Sequence, residues 1–183
     1  MDDQQLLQAL RQKDEKAFRQ LVISYQEMII STCYGFLHNQ QEAEDVAQEV
    51  FIQVFRKIDK FRGDAKLSTW MYRIAVNRSL NRVRSAKAKL LLSLETIFES
   101  GAAWSTNSPL ASLENTERAG VLQEAVNRLP ENQRKAFVLS KYEGLANKKI
   151  AEVLEMSLSA VEALLNRAKK NLQHSLVNYY RKN

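Results

Sequence analysis

The sequence of 183 residues has few of the residues that break helices or cross-link small folds. Its two prolines and five glycines are too few for the many turns of an all-β protein, so they favour helices. The single cysteine, Cys33, excludes an internal disulfide and a cysteine metal cluster. No apolar run approaches the roughly 20 residues that span a bilayer, and the acidic start MDDQQLLQAL does not resemble a signal peptide. We therefore expect a cytoplasmic protein.

Signatures of catalysis are missing as well. There are two histidines, His38 and His174, and there is no phosphate-binding loop, no glycine-rich dinucleotide turn and no helical His-Glu-x-x-His motif. Carboxylates cluster over residues 42–49, but without a histidine or an acidic partner elsewhere they suit a docking surface better than a metal site. We expect a protein that is not an enzyme and that has no metal, no cofactor and no small-molecule substrate.

Charge changes sign from one segment of the chain to the next. The net charge of +6 and the pI of about 9.4 favour a polyanionic partner without naming one. Residues 40–55 contain four acids and no base, residues 56–89 contain eleven Lys or Arg against two Asp, and residues 90–117 contain four Glu and no Lys or Arg. A surface that served only solubility would seldom alternate in this way, so the pattern indicates binding surfaces.

Apolar residues recur with a period near 3.6 through most of the chain, and no alternating strand pattern stands out. We predict an all-α fold in which Asp14 and Ser68 cap helix N-termini. Residues 88–114 are rich in Ser, Ala and Thr with weak periodicity, so we predict a linker there, within which LLLSLETIF is either a short helix or a docking segment. The linker separates two small helical domains, 1–87 and 115–183. Helices are predicted near 3–12, 15–37, 41–60, 68–87, 115–128, 131–143, 147–155 and 158–180.

The acidic helix over residues 42–59 has two distinct faces. Its apolar stripe includes Val46, Val50 and Val54 at the spacing of a helix that faces a core. The opposite stripe is polar and acidic around one apolar residue, Ile52, which is typical of a small protein-docking patch. Acidic groups would repel DNA, so a protein surface is the expected partner, although one exposed Ile also occurs without function. The residues of this outward stripe are Asp45, Gln48, Glu49, Ile52 and Arg56.

The next helix is half apolar and half cationic. In LSTWMYRIAVNRSLNRVR, residues 67–84, a rotation of about 100° per residue places Tyr72, Val76, Leu80 and Val83 towards a core. The opposite stripe offers arginines for phosphates, asparagines for base edges and an indole on which an unpaired base can stack. This combination suits opened DNA better than intact duplex, and a solvated basic helix with a partly buried Trp is the alternative. With the preceding loop, the candidate residues are Arg62, Lys66, Ser68, Thr69, Trp70, Arg73, Asn77, Arg78 and Asn81. Arg84 lies on the same stripe and Arg82 beside it.

A helix-turn-helix pattern occupies residues 147–173. A short helix, a turn at residues 155–157 and a longer helix follow one another, and the longer helix is capped either by Ser157 or by the box Ser159-x-x-Glu162. Small residues at the start of its open face allow close approach to base edges, as in a recognition helix that enters a major groove. An antiparallel helical pair without a ligand is the alternative. The candidate DNA-binding residues are Lys148, Ser157, Ser159, Glu162, Ala163, Asn166, Arg167 and Lys170.

Two long segments resemble the extracytoplasmic-function sigma factors, the small bacterial initiation subunits of RNA polymerase. EAEDVAQEVFIQVFRKIDKFRGDAKLSTWMYRIAVNRSLNRVR is similar to their region 2, and LPENQRKAFVLSKYEGLANKKIAEVLEMSLSAVEALLNRAKKNL is similar to their region 4. The two segments occur in the family's order, joined by a variable linker and without the domain that larger sigma factors carry between them. The resemblance implies a region 2 helical bundle and a region 4 helix-turn-helix domain.

The resemblance also implies a partner for each surface. The stripe from Asp45 to Arg56 would dock on the clamp helices of the large subunit of core RNA polymerase. The loop and helix over 62–78 would recognise and help melt the −10 promoter element, and helix 158–173 would bind the −35 element as duplex. The linker would thread towards the RNA exit path. A cognate anti-sigma factor, often membrane-bound, would occlude these surfaces, so the protein is expected at the nucleoid or held at the membrane.

The helix-turn-helix departs from the family pattern at four positions. Members commonly have Gly in the turn, whereas this chain has Glu155 there. Members often have Ser at the start of the first helix of the motif and an acid before Ile-Ala, whereas Ala146 and Lys149 stand at these positions. Glu162 replaces a frequent basic residue and would accept a hydrogen bond from a cytosine amine rather than donate to guanine. Because a non-Gly residue with positive φ is strained, we expect a turn that is differently shaped or costs some stability.

A one-component regulator with the same helix-turn-helix is the alternative among DNA-binding proteins. It would need a second copy to bind two half-sites, and it leaves the basic Trp helix without a function. Binding to promoter duplex by the chain alone, rather than only with core polymerase, would favour this alternative.

Overall fold

A computed structural model describes residues 3–100 and 115–182, and within these ranges the chain is helical and contains no strand. A single turn of 3₁₀-helix, Ile58–Lys60, follows the third helix. We call α1 to α4 the first lobe and α5 to α8 the second lobe. The helices are α1 (Asp3–Arg11), α2 (Glu15–Leu37), α3 (Gln40–Lys57), α4 (Leu67–Ser100), α5 (Asn115–Asn127), α6 (Glu131–Lys141), α7 (Asn147–Leu154) and α8 (Leu158–Lys182).

The predicted helices agree with the observed ones within a few residues, except at the end of α4. This helix continues to Ser100, so the helix end predicted at 87 is wrong, and the first part of the predicted linker is helical. Residues 88–100 contain no Gly or Pro and include four Leu and two Glu, which favour helices. The rest of the predicted linker, residues 101–114, lies outside the described residues. The domain limits themselves stay a prediction.

The first lobe is built around α3, whose apolar stripe is buried as predicted. Val46, Val50 and Val54 have no exposed surface, and they share a core with apolar residues of α2 and α4. On the α4 side this core contains Met71 and Ala75, which the helical wheel had not singled out. The buried stripe fixes the rotation of α3, and therefore turns its acidic stripe outwards.

The start of α2 is fixed by Asp14, as predicted. Its carboxylate accepts hydrogen bonds from the Lys16 amide at 2.7 Å and the Ala17 amide at 2.9 Å. The N-terminus predicted for Ser68 is wrong, because α4 already begins at Leu67 and the Thr69 and Trp70 amides bond to the Lys66 carbonyl.

Replacing Asp14 with alanine is expected to lower the free energy of unfolding by about 0.5–2 kcal/mol, the usual cost of losing an N-cap acceptor. Urea denaturation followed by circular dichroism would measure it. Asp14→Asn is the matched control, since an amide oxygen accepts the same bonds. A loss in Asp14→Asn as large as in Asp14→Ala would contradict the capping role.

A second core is shared between the two lobes. Tyr72, Val76 and Leu80 face a core as predicted, but that core belongs jointly to α4, α2 and the second lobe. The second lobe supplies mainly Val138, Leu139, Ile150, Val153 and Val161. Helix α4 is therefore buried on two sides: one holds the first lobe together, and the other packs against α6 and α7.

Gly35 marks the closest approach between the lobes. A Cβ atom at this position would lie 2.6 Å from Val138 Cγ1 and 3.1 Å from Tyr142 Cγ. Any side chain there would push α2 and α6 apart. Arg134 reinforces the same contact, because its Nη2 donates to the Phe36 carbonyl at 2.6 Å. Among the described helices, none combines the length and the apolarity that a bilayer crossing requires.

Candidate DNA and polymerase interfaces

The outward stripe of α3 forms a ridge that is partly apolar and mostly acidic. Asp45, Gln48, Ile52 and Arg56 are exposed, as their positions opposite the buried valines require. Ile52 is 49% exposed, which makes it one of the few large apolar side chains open to solvent among the described residues. A shallow hollow of about 340 Å³ lies beside it. The ridge has the geometry of a docking site for a protein with a complementary apolar pocket and cations.

Glu49 differs from the rest of the ridge because it connects α3 to α4. Its Oε1 pairs with Arg82 Nη2 at 2.8 Å, and its Oε2 pairs with Arg78 Nη1 at 3.2 Å. Gln53, one helical turn further along α3, accepts from Arg78 Nε at 2.7 Å. These contacts hold the Arg78 guanidinium against α3. The acidic ridge and the basic helix, predicted as separate surfaces, are thus joined by one charged network.

A polar hollow of about 590 Å³ lies along the outward face of α4. Asn77 and Asn81 are exposed there, and Trp70 forms one wall. Amide groups suit base edges, although Asn81 Oδ1 already accepts a hydrogen bond from Arg84 Nη1 at 3.2 Å. The hollow is large enough to admit a planar base beside the indole. Its lining residues are Gln53, Trp70, Arg73, Ile74, Asn77, Arg78 and Asn81.

Trp70 is held by an aromatic contact with the loop before α4. Its ring centroid is 5.1 Å from that of Phe61, with an angle of 32° between the rings. The loop that follows Phe61 turns at Gly63, whose φ of 84° suits a glycine. Arg62 and Lys66 are exposed on this loop, where they can attract phosphates. The helix and the loop therefore form one continuous cationic surface with a fixed indole.

Two predicted members of the cationic surface are engaged by the second lobe. Thr69 was predicted to contact DNA, but it is completely buried and hydrogen-bonded by Lys149 of α7, so it cannot contact DNA while the lobes are packed together. Arg73 is half-buried against the end of α7. Helical phase places both residues on an accessible face, and the burial comes from a neighbour more than seventy residues away. Ser68 is half-buried, and Arg84 forms an ion pair with Glu131.

The helix-turn-helix is present as predicted, and Glu155 adopts the strained turn conformation. Its φ of 55° and ψ of 45° are left-handed, a conformation that glycine adopts at least cost. Helix α8 begins directly after Ser157. The Ser157 hydroxyl accepts a hydrogen bond from the Ala160 amide at 3.2 Å, so Ser157 is the N-cap. All candidate residues of this surface are exposed: Lys148, Ser157, Ser159, Glu162, Ala163, Asn166, Arg167 and Lys170.

Several titratable groups with shifted pKa values are buried or half-buried. Burial raises the pKa of the Glu143 carboxyl, which accepts a hydrogen bond from Tyr72 across the lobe boundary at 3.2 Å. Burial and the nearby Arg134 lower the pKa of His38. Burial also raises the pKa of Cys33 to about 11, so its thiol stays protonated and unreactive near neutral pH. Within residues 3–100 and 115–182, no group of three or more His, Cys, Asp or Glu side chains could hold a metal ion.

Comparison with known proteins identifies the family. The family described as Sigma-70 region 2 matches residues 21–89, and the family described as Sigma-70, region 4 matches residues 119–172. The chain is 33% identical over 181 residues to the RNA polymerase sigma-H factor of Pseudomonas aeruginosa, covering 95% of this chain and 93% of that one. It is 30% identical over 176 residues to the ECF RNA polymerase sigma factor SigW of Bacillus subtilis, covering 93% and 94%. The chain belongs to the extracytoplasmic-function (ECF) sigma factor family.

A solved structure shares the fold of this sigma factor. The sigma factor RpoE of Bartonella quintana, in a complex with the anti-sigma factor NepR, superposes with a TM-score of 0.61 and 19% identity, covering 88% of this chain and 97% of that one. As a family member, this ECF sigma factor is a non-catalytic subunit that directs core RNA polymerase to promoters and initiates transcription. The expectation that the chain is not an enzyme is thereby confirmed.

Several residues that shape these surfaces were not predicted from the sequence. Phe61 and Gln53 support Trp70 and Arg78, respectively. Gln53 could have been found, since it lies four residues after Glu49 on the same helix face, where side chains are neighbours. Phe61 was harder to predict than Gln53, because its only sequence signal is that an aromatic residue stands directly before a basic loop. The contacts that Glu143 and Glu131 make with α4 have no local signal at all.

Proposed function

We propose that this sigma factor engages its targets through three surfaces. The α3 ridge docks on the clamp helices of the polymerase large subunit, with Ile52 as the apolar anchor. The α4 surface and its preceding loop bind the −10 element as a melted strand. The exposed face of α8 binds the −35 element as duplex. The network between Glu49 and Arg78 is the single observation that most supports this proposal, because it joins the exposed acidic ridge of α3 to a hollow on α4 that can admit a base.

The chemistry of each surface supports its assignment. Acidic side chains on the ridge would repel DNA phosphates, whereas the exposed Arg62 and Lys66 of the loop before α4 attract them. The indole of Trp70 can stack on a base only after that base has left the duplex, which favours a melted strand at this site. Helix α8 instead presents small residues first and longer polar residues later, which suits insertion into a major groove.

An anti-sigma factor is the further partner that we propose, since the Bartonella quintana relative forms such a complex. We also propose that the chain acts in the cytoplasm, at the nucleoid, or at the membrane when a membrane-bound anti-sigma factor holds it. Expression of an affinity-tagged chain in its native host, followed by identification of the proteins bound to it, would test whether an anti-sigma factor is a partner. Recovery of polymerase subunits alone would contradict the anti-sigma partnership.

Transcription in vitro tests the three-surface proposal. Purified chain is mixed with core RNA polymerase and a fragmented genomic template, and the transcripts are sequenced to locate their start sites. We expect co-elution with core enzyme and initiation at a defined set of promoters with shared −10 and −35 sequences. If the chain neither co-elutes with core enzyme nor directs initiation at any site, the proposal is wrong.

Replacing Lys170 with alanine is expected to weaken binding to the −35 element on all sequences alike, by a few-fold at physiological salt. Lys170 is exposed near the middle of α8, where a phosphate contact carries little sequence information. The slope of log affinity against log salt should become shallower by about 1. Fluorescence anisotropy of holoenzyme on labelled promoter duplex, over a series of salt concentrations, measures both quantities.

Asn166→Ala is the matched comparison for Lys170→Ala, because it removes a group suited to base edges on the same helix face. It should reduce discrimination between −35 sequences and leave the salt slope unchanged. A Lys170→Ala variant that lost discrimination while keeping its salt slope would show that Lys170 contacts a base edge.

A further inference from the structure

The end of α7 covers part of the surface assigned to the −10 element, at Thr69 and Arg73. Arg73 Nη1 pairs with Glu155 Oε1 at 2.8 Å. Arg73 also donates from Nη2 to the Glu152 carbonyl at 2.7 Å and from Nε to the Val153 carbonyl at 3.2 Å. These carbonyls belong to the last turn of α7, where the helix itself supplies no donor. One arginine of the first lobe therefore caps a helix of the second lobe.

Lys149 makes a second contact from α7 to the same surface. Its Nζ donates to the hydroxyl of Thr69, and it also pairs with Glu152 at 3.1 Å within α7. Thr69 has no exposed surface as a result of this packing. Lys149 and Glu155 are two of the positions at which this chain departs from the family pattern, and both departures make contacts to the first lobe.

Glu155 has a backbone conformation that would suit a glycine better. The left-handed conformation at φ 55° is one that glycine adopts freely and that other residues adopt at a cost. A glycine would therefore suit the turn better, yet it would remove the ion pair with Arg73. The strain is compatible with folding because α7 and α8 hold the turn on both sides.

We propose that, in the chain free of polymerase, the end of α7 masks the part of the −10 surface formed by Thr69 and Arg73, held there by the Arg73–Glu155 ion pair and the Lys149–Thr69 hydrogen bond. The inference rests on the assignment of the −10 surface under the proposed function. The mask is selective, because the exposed face of α8 stays open to duplex DNA. The hollow beside Trp70 stays open, so the free sigma factor can meet single-stranded promoter DNA with only part of this surface, and full contact requires the lobes to separate.

Variants at Glu155 test the ion pair. Affinity of the free chain for a labelled single strand is measured by fluorescence anisotropy, with an oligonucleotide that carries the non-template −10 sequence of a promoter found by transcription in vitro. Glu155→Gly and Glu155→Gln should raise the affinity about two- to fivefold, which is the range for a partly exposed ion pair. Glu27→Gln, at an exposed position on α2, controls for the change in net charge.

Gly35→Ala opens the boundary between the lobes at a position outside the DNA-binding surfaces. The added Cβ would lie 2.6 Å from Val138 Cγ1, and alanine favours the helical conformation of α2 itself. Because overpacking is costly, this variant should raise the affinity for the single strand at least about fivefold. Its circular dichroism spectrum should stay helical, which shows that the lobes separate without unfolding.

Fluorescence energy transfer measures the separation of the lobes without DNA. Dyes are placed on Ile23→Cys and Val177→Cys, two exposed positions on α2 and α8. The native Cys33 is buried, so it should not be labelled. Transfer efficiency should fall in Glu155→Gly and in Gly35→Ala compared with the parent chain.

The proposal is overturned if the single strand binds the parent chain as tightly as it binds both opened variants. It is also overturned if Glu27→Gln raises the affinity as much as Glu155→Gln, or if transfer efficiency falls without any gain in binding. The −10 assignment itself is judged separately, by the effect of Trp70→Ala in the holoenzyme.

Discussion

Trp70→Ala is expected to lower open-complex formation by the holoenzyme by roughly 5- to 150-fold, with little change in the initial binding of duplex promoter. Stacking of one base on an aromatic side chain is worth about 1–3 kcal/mol, and Trp70 forms one wall of the hollow on α4. That contribution exists only after a base has left the duplex. The loss should therefore appear in the melting step.

Permanganate reactivity of unpaired thymines measures melting, and anisotropy of labelled duplex at low temperature measures initial binding. Trp70→Phe is the matched control, because a phenyl ring keeps part of the stacking surface and the contact with Phe61. It should recover most of the open complex. Equal losses of melting and of initial duplex binding in Trp70→Ala would show that Trp70 acts through general packing rather than through a flipped base.

Helix limits could be predicted from the sequence because each helix buries one stripe of a regular pattern. The valines of α3 illustrate this, since one apolar residue per turn was enough to give the rotation of the helix and the direction of its acidic stripe. The end of α4 could not be predicted in the same way. Beyond Lys87 the periodicity fades, but helix propensity persists up to Gly101, and propensity alone continued the helix to Ser100.

Contacts between the lobes left no signal in local patterns. Tyr72 was expected to face a core, and it does, but a helical wheel cannot tell whether that core belongs to the same lobe. Likewise, Thr69 and Arg73 stand on the outward face of α4, and only the three-dimensional packing shows that α7 covers them. Amphipathic periodicity describes which side of a helix is buried, and it says nothing about which distant segment buries it.

The candidate site residues could be predicted best on surfaces where solvent exposure alone selects them. The face of α8 consists of exposed residues opposite a buried stripe, so periodicity was sufficient to name its members. The ridge on α3 was predicted equally well in its membership. What periodicity could not show is that Glu49 is paired with two arginines of the neighbouring helix, since those partners are 29 and 33 residues away. This pairing affects how the ridge should be tested.

Glu49→Lys is expected to lower the affinity for core polymerase by about tenfold or more, which corresponds to at least about 1.4 kcal/mol. The substitution places a cation on the acidic ridge that is proposed to meet the clamp helices, and like charges at an interface oppose association. It also replaces two ion pairs by repulsion with Arg78 and Arg82. Competition between labelled parent chain and unlabelled variant for core enzyme measures the affinity.

Two further variants distinguish a direct contact of the ridge with polymerase from the effect of the internal ion pairs of Glu49. Asp45→Lys reverses a charge at an exposed position of the ridge that takes no part in the Glu49 pairs, so it should weaken core binding while leaving Arg78 and Arg82 in place. Glu49→Gln breaks the pairs with little change of shape, so it should mainly alter the α4 surface. If core affinity holds in both Glu49→Lys and Asp45→Lys, the ridge is not the docking surface. If it falls in Glu49→Lys alone, Glu49 acts by positioning Arg78 and Arg82 rather than by touching polymerase.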